Sequence, residues 1–501
     1  MPAISPRDLT AAGLLRPLGA GLAAVLAATL LIAPQPASAK ATTAPSPSSS
    51  PSATAGSSPS ASGSPSSTPT TPPPVLVNPS NPATPGSFTG YGFDQCNAPS
   101  QSAMDTWLAS SPYLGVGIYI SGNSRACKVQ ANLTPTWVAA QLARGWHLLP
   151  ITLGPQASCS TRFPRYGAKI DPVISAVKVG GAYIAATAQG TAEADKTLAA
   201  AAALGLTPGS TMYYDLEAYD TSKAPCRESA LAFLSAWTAE IQANGYLAGV
   251  YSSAGSGLKV LDQARISTPT AYTFPDQIWI ADWNGQANTS SSYISPYGWA
   301  SHARVKQYQG GHNETYGGVT INIDRNFLDV GQGSVAGSET HCRSIPVDFA
   351  GYPNLAKPAS GGVVDPTLRP YVKALKCLLK ERGGFKGRTT PRFNNALTNA
   401  VSAWSRSHGQ SAANTTWNRR LWLTLFATNA RPTLKYGSVG TAVRDLQRAL
   451  TTTTQAPKPA VTGVFDAATE KALTAYQKKR KLRPRGIAAG STWAALGAGL
   501  R

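Results

Sequence analysis

The chain has 501 residues and a net charge of +20, from 44 Lys and Arg against 24 Asp and Glu. Residues 1–342 hold 18 basic and 18 acidic residues, so the imbalance lies in residues 343–501, with 26 against 6. A basic region of this kind attracts polyanions, although solubility alone could explain it. The five histidines and six cysteines lack metal-ligand spacing. This argues against a zinc amidase or peptidase, and we predict no metal and no cofactor.

Residues 1–39 are typical of a secretory signal peptide. Arg7 and Arg16 precede the apolar run 18–33, and Ala37-Ser-Ala39 offers small residues for cleavage. That run is short for a membrane span and no later segment resembles one, so we expect a secreted, soluble protein without stable membrane insertion. Export also makes nucleic acid a poor partner. Teichoic acids, other anionic wall polymers or anionic lipid surfaces remain as candidate polyanions.

Residues 40–87 form a low-complexity segment. Positions 41–86 are almost wholly Ser, Pro, Thr and Ala, which bury too little apolar surface to offset the chain entropy lost on folding. We therefore predict a disordered linker that acts as a tether.

Residues 88–342 contain eight candidate strands, several of them separated by stretches with helical spacing of apolar residues. This alternation over roughly 240 residues predicts an α/β fold, a (β/α)8 TIM barrel. The candidate strands are 91–96, 113–120, 146–153, 211–220, 246–251, 277–284, 304–309 and 319–326.

Acidic residues occur at or near the ends of several of these strands. Asp215 and Glu217 are two positions apart, so a strand points both side chains to the same side. Two carboxylates that close cannot both ionise freely, so one pKa rises and the other falls, as glycoside hydrolysis requires. The alternative is a strand end whose acids lie in solvent or cap the next helix. A further set of acids at the same barrel mouth favours a site: Asp94, Asp282 and Asp324.

These motifs, in this order, resemble family 25 glycoside hydrolases, lysozymes that cut the glycan strands of peptidoglycan. The motifs are Gly92-Phe-Asp94, Asp215-Leu-Glu217, Trp279-Ile-Ala-Asp282, Gln307-Tyr308 and Ile323-Asp324-Arg-Asn326. Gly92-Phe-Asp-Gln-Cys96 and Tyr214-Asp-Leu-Glu217 are more similar to a glycoside-hydrolase-like domain of actinobacterial secreted proteins. The resemblance covers residues 88–335, and the long insertion 161–190 departs from a compact lysozyme.

The resemblance implies a secreted, cell-wall-associated enzyme that cleaves peptidoglycan or a related glycan. In this hypothesis Glu217 protonates the leaving oxygen, Asp215 tunes its pKa, and Asp94 or Asp282 orients water or serves as base. A substrate N-acetyl group could instead supply the nucleophile. Candidate substrate-binding residues are Tyr214, Trp283, Gln307, Tyr308 and Asp324. The alternative function is a non-catalytic wall-binding protein whose barrel binds glycan without turnover.

The basic C-terminal third contains an internal repeat. The segment 393–404 aligns without gaps on 465–476, and each copy follows another amphipathic helical segment. This predicts two small all-α, three-helix modules, at 357–427 and 431–498. The second is similar to the peptidoglycan-binding type 1 domain and the first is degenerate. Ligand binding is expected near Gly463–Asp466 and Tyr476.

Six cysteines in an exported chain predict three disulfides. Four of them follow consecutive barrel strands, in loops at one mouth, which makes Cys96–Cys127 and Cys159–Cys226 the easiest pairs. Cys342 and Cys377 would then join the first helical module to the end of the barrel.

Overall fold

The computed structural model describes residues 81–359, 364–411, 413–454 and 456–501. The predicted signal peptide and residues 40–80 of the predicted linker lie outside these ranges. Residues 81–87 pack against the barrel, so the predicted linker extends too far. Thr84 is buried there, and its hydroxyl donates to the carbonyl of Leu148 at 2.8 Å.

The eight predicted strands are present and form a closed barrel in chain order. The first seven strands run parallel to one another, whereas the eighth is antiparallel to both the seventh and the first. The strands are β1 Phe88–Asp94, β2 Gly115–Ser121, β3 His147–Thr152, β4 Thr211–Asp215, β5 Leu247–Ser253, β6 Gln277–Ala281, β7 Ala303–Tyr316 and β8 Val319–Val330.

Five helices connect the first six strands, as predicted. They are α1 Gln101–Ser110, α2 Pro135–Ala143, α3 Ile184–Ala203, α4 Ala224–Ala243 and α5 Lys259–Ser267. A loop of residues 282–302 joins β6 to β7, and a two-residue turn joins β7 to β8. Gly317 and Gly318 have φ of 60° and 86°, the left-handed values that a tight hairpin turn needs. The regular alternation of strand and helix therefore ends at β6.

The barrel has an inner and an outer core. Inside, large side chains such as Leu149, Tyr213, Trp279 and Leu328 fill the space between the strands. Outside, the helices pack on the strands through a second cluster, in which Trp237 of α4 contacts Tyr214. The filled interior leaves the C-terminal ends of the strands as the place for a site.

Residues 369–497 form the two predicted helical modules. Their helices are α6 Arg369–Glu381, α7 Asn395–Ser407, α8 Arg419–Phe426, α9 Thr441–Thr452, α10 Ala467–Lys479 and α11 Gly490–Gly497. One continuous apolar cluster includes Leu425 of α8 and Leu446 of α9, so the modules share a core. Tyr476, predicted to bind ligand, is fully buried, and its hydroxyl donates to the carbonyl of Leu500 at 2.8 Å.

The second module is docked on the barrel, which the sequence did not predict. Tyr436 packs on the outer side of β1 and β8, with its ring 5.2 Å from that of Tyr91 and 5.9 Å from that of Phe327. Gly437 lies so close that a Cβ would be 2.8 Å from the carbonyl oxygen of Thr89. The module therefore packs against the barrel wall beside the N-terminal end of β1.

A buried lysine continues this contact. Lys435 is 1% exposed, and its ammonium donates to the carbonyls of Ser111 at 2.6 Å and Tyr113 at 3.2 Å. A third acceptor, the carbonyl of Trp107 in the last turn of α1, is 3.5 Å away. Burial lowers the pKa of Lys435 to about 7.

All three predicted disulfides are confirmed: Cys96–Cys127, Cys159–Cys226 and Cys342–Cys377. The first two hold loops at the barrel mouth, and the third ties the segment after β8 to α6. Within the described ranges, no helix has the length and apolar character that crossing a bilayer requires.

Candidate active site

Four acids meet at the C-terminal ends of the barrel strands. Asp94 and Asp215 are the last residues of β1 and β4, and Glu217 lies two residues beyond β4. Asp324 of β8 is the register partner of Asp94. Asp94, Glu217 and Asp324 line a cavity of about 310 Å³, and Asp215 lies beneath it, close enough for its charge to interact with those of Asp94 and Glu217.

Asp94 is buried at the base of this cavity. A Cβ at Gly117 would lie 2.6 Å from the Cβ of Asp94, so only glycine leaves room for the aspartate inside the barrel. Asn326 donates to its Oδ1 at 2.6 Å and Gln307 at 3.2 Å. Burial first, and then the charge of Asp324, raise the pKa of Asp94 to about 7, although both amides oppose the rise.

Gln307 holds two of the acids together. Its Oε1 accepts from the hydroxyl of Tyr251 and from the indole N–H of Trp283, each at 2.9 Å. This fixes the amide so that Nε2 points to Asp94 and, at 3.2 Å, to Oδ2 of Asp324. Burial and the charge of Glu217 raise the pKa of Asp324 to about 6.

Asp215 is the more buried member of the predicted acid pair. Burial first, then Glu217 and Asp94, raise its pKa well above the usual range, while a hydrogen bond from Tyr119 at 3.3 Å lowers it. Its Oδ1 is buried and has no hydrogen-bond partner among the described residues. Burial therefore favours the protonated form of Asp215, next to the Glu217 that the sequence hypothesis names as the proton donor.

Glu217 is held beside Asp215 through Gln156. The side chain of Gln156 accepts from the backbone N–H of Glu217 at 2.8 Å and donates to the carbonyl of Asp215 at 2.7 Å. The Glu217 side chain is 22% exposed, and one oxygen lies 3.2 Å from the guanidinium of Arg162. Glu217 therefore reaches both the cavity and solvent.

Three predicted site residues lie apart from the acids because they point away from the barrel interior. Tyr214 is adjacent to Asp215 and faces the opposite side, where it packs on Phe233 and Trp237 of α4. Tyr308 follows Gln307 and faces outward, where its pKa is raised by burial and lowered by the charge of Arg325. Asp282 follows β6 and does not line the cavity. Its charge instead acts on Lys306, on the outer face of β7, where burial lowers the pKa of the lysine and Asp282 opposes that fall.

Trp283, a predicted substrate-binding residue, is 65% exposed at the mouth, and its indole N–H donates to Oε1 of Gln307. The residues that sequence reasoning missed are the polar partners of the acids: Tyr119, Gln156, Arg162, Tyr251 and Asn326. Asn326 is the last residue of the motif that contains Asp324. Because it lies two positions after Asp324, the two side chains share one face of the strand, and this spacing could have identified Asn326 as a site residue. Tyr119 and Gln156 follow from no motif.

The insertion 161–190 contributes to the mouth. Arg165 of this segment lines the cavity opposite the acids, together with Arg125 of the loop after β2. The predicted departure from a compact lysozyme therefore lies beside the candidate site.

Two family models match the chain. Residues 105–328 match the family described as "Rv2525c-like, glycoside hydrolase-like domain". Residues 439–496 match the family described as "Putative peptidoglycan binding domain". The predicted resemblance is confirmed: the chain carries a glycoside hydrolase-like domain followed by a domain of the peptidoglycan-binding type.

Three solved structures are similar to about half of this chain. The Mycobacterium tuberculosis Tat-secreted protein Rv2525c, in complex with L-tartrate, is 14% identical over 49% of this chain and 98% of its own, with a TM-score of 0.32. An uncharacterized B. stearothermophilus protein is 17% identical over 48% and 95%, with a TM-score of 0.31. The modular autolysin LytC from Streptococcus pneumoniae is 10% identical over 48% and 46%, with a TM-score of 0.28. No curated protein matches the chain.

Proposed function

We propose that the protein is a secreted, cell-wall-associated glycoside hydrolase that cleaves peptidoglycan or a related glycan by acid/base catalysis. The observation that carries this proposal is the convergence of Asp94, Asp215, Glu217 and Asp324 on one mouth. Three of the four have raised pKa values, which is how a site keeps protonated and ionised carboxyls side by side near neutral pH.

Glu217 remains the proposed proton donor to the leaving oxygen, because it lines the cavity and has contact with solvent that can return the proton. Asp215 holds the proton of the pair in the resting site, because burial and the charges of Glu217 and Asp94 raise its pKa. That proton passes to Glu217 as Glu217 protonates the leaving oxygen, so the pair gives up one proton, which solvent returns.

Asp94 and Asp324 are the candidates for the base. Their pKa values of about 7 and about 6 suit a group that must take a proton near neutral pH. Gln307 donates to both carboxylates and positions them relative to each other. Asp282 is dropped from this role because it lies on the outer side of the barrel next to Lys306.

The second candidate function is glycan binding without turnover. It is favoured by the ion pair of Arg162 with Glu217 at 3.2 Å. Arg162 must move away before Glu217 can protonate a leaving oxygen. A barrel in which it does not move would bind glycan and leave it intact.

Wall association is proposed to come from the C-terminal module. Its family match supports peptidoglycan as a partner. An exposed basic run begins at the end of α10 and continues beyond it, without any acidic residue in between: Lys478, Lys479, Lys481, Arg483 and Arg485. Such a run supports anionic wall polymers as additional partners, with binding that weakens as salt rises.

The test is to incubate the full secreted chain with purified sacculi and to measure new reducing ends. We expect release by the parent and a loss of about 10²–10⁴-fold in Glu217→Gln, which keeps the shape of the side chain but cannot give up a proton. Asp195→Asn, an exposed acid on α3, serves as the control and should retain activity. Equal activity in parent and Glu217→Gln would remove Glu217 as the acid. Binding to sacculi without reducing ends in either protein would support the second candidate.

A further inference from the structure

The cavity at the barrel mouth has a cationic side as well as an acidic one. Arg125 and Arg165 line it together with the acids. Hydrolysis of a glycosidic bond, the proposed function on which this inference rests, needs two carboxyl groups and no guanidinium. The two arginines therefore need an explanation of their own.

Arg125 is held in place by its own loop. Its Nε donates to the carbonyl of Gly122 at 2.9 Å and its Nη1 to the carbonyl of Tyr119 at 3.1 Å. The disulfide between Cys96 and Cys127 ties this loop to the end of β1. The guanidinium is thus fixed at the cavity wall before any ligand arrives, and its Nη2 has no hydrogen-bond acceptor in the part of the chain that the structure describes.

Arg165 is placed by a buried acid of its own loop. Asp171, only 2% exposed, accepts from the backbone N–H groups of Arg165 at 2.6 Å and Tyr166 at 2.8 Å. The guanidinium stacks over Phe163, 5.0 Å from the ring centroid. The hydroxyl of Tyr166 donates to the carbonyl of Arg125 at 2.9 Å, so the two arginine loops are joined.

The arginines could simply balance the negative charge of the acids. Arg165 does lower the pKa of Asp215. Within the described part of the chain, however, its guanidinium makes no ion pair and no hydrogen bond, whereas Arg162 pairs directly with Glu217. A half-buried guanidinium that stacks on Phe163 and has no hydrogen-bonding partner among the described residues is better explained by a ligand that it binds.

We propose that Arg165 and Arg125 form a carboxylate subsite beside the catalytic acids, so that the substrate is an acidic glycan. The forked N–H groups of a guanidinium match the two oxygens of a carboxylate. The acids would contact the glycosidic oxygen, while the arginines bind a carboxylate carried by the sugar that enters the cavity. A neutral N-acetylhexosamine chain would leave the arginines unpaired and would bind more weakly.

The test is calorimetry on the full chain carrying Glu217→Gln, which prevents turnover. One probe is a tetrasaccharide of N-acetylhexosamines in which alternate residues carry a carboxylate on an ether-linked lactyl group. The matched probe is the same tetrasaccharide with each carboxylate converted to a carboxamide. We expect the acid to bind about tenfold or more tightly than the amide, since charged hydrogen bonds are worth roughly 1.5–3 kcal/mol.

Adding Arg165→Gln should remove that preference and leave binding of the amide unchanged. Arg165→Lys, which keeps the charge but not the fork, should retain only part of it. Lys169→Gln removes an exposed charge on the same loop and should change neither probe, which separates the subsite from general attraction to a basic protein.

Equal affinity for acid and amide would overturn the subsite while leaving glycan binding standing. If Arg165→Gln loses affinity for both probes equally, Arg165 only supports the loop. That result would also overturn the subsite. If neither probe binds the parent chain, the subsite and the proposed function are both wrong.

Discussion

Replacing Lys435 by Met should make the stability of the protein respond differently to pH. The side chain is fully buried between the second helical module and the barrel, and burial lowers its pKa from 10.5 to about 7. Met keeps the length of the side chain but carries no charge and no donor. The variant therefore separates the cost of burying the ammonium from the benefit of its hydrogen bonds.

The magnitude follows from the pKa shift. About 3.5 pH units correspond to roughly 5 kcal/mol at about 1.4 kcal/mol per unit, an upper bound because three carbonyls favour the ammonium. The folded-state pKa lies below the unfolded one, so between pH 7 and 10.5 the unfolded chain binds the extra proton. The free energy of unfolding of the parent should therefore rise with pH across this window. The cost of burying the charged ammonium is fully present below pH 7.

Lys435→Met should lack this rise, and it also leaves the carbonyl of Ser111 without its donor, which costs about 1–3 kcal/mol. We expect the variant to equal or exceed the parent in stability at pH 6 and to be less stable at pH 10. Urea unfolding at four pH values measures the difference. Lys380→Met, an exposed lysine on α6, is the control and should follow the parent. A constant difference between parent and Lys435→Met at every pH would refute the reasoning.

Three other substitutions test the site and its supports. Asp215→Asn should slow turnover and shift the pH–rate profile, because it removes the buried carboxyl coupled to Glu217; an unchanged profile would separate Asp215 from catalysis. His341→Gln should cost about 1 kcal/mol or more at pH 5 and little at pH 9 in thermal melts. The pKa of His341 is raised by Glu339 and Glu381, so its contribution is present below the unfolded pKa and lost as pH rises through the folded one. Replacing Cys159 and Cys226 by Ser should lower stability by about 2–5 kcal/mol, and an unchanged melting temperature would contradict this.

The strands and the disulfides could be predicted because both follow from the order of short segments along the chain. Apolar runs mark the strands, and loops that follow consecutive strands meet at one mouth, which brought Cys96 to Cys127. The helix expected after every strand is missing after β6, where the loop 282–302 follows, and after β7, where Gly317-Gly318, a dipeptide typical of a hairpin turn, leads into β8.

Two of the predicted site residues, Tyr214 and Tyr308, lie apart from the acids for one physical reason. Adjacent residues of a strand face opposite sides, so once Asp215 and Gln307 point inward, Tyr214 and Tyr308 must point outward. This much was available from the sequence. Contacts between distant segments could not be predicted in this way. Nothing local in the sequence indicates that Lys435 donates to the carbonyl of Ser111, more than 300 residues earlier.

The docking of the second module also determines which bonds the barrel could reach on a solid wall. Gly437 contacts the first residues of β1, and Asp94 ends that strand, about 20 Å further along at roughly 3.3 Å per residue. A catalytic domain on a flexible tether samples every bond within the length of its linker. In this protein the distance between the candidate site and the module is fixed, and so is their relative orientation. If the module binds wall glycan as proposed, each bound molecule would act on bonds at one distance from its own anchor, and moving to the next would require release.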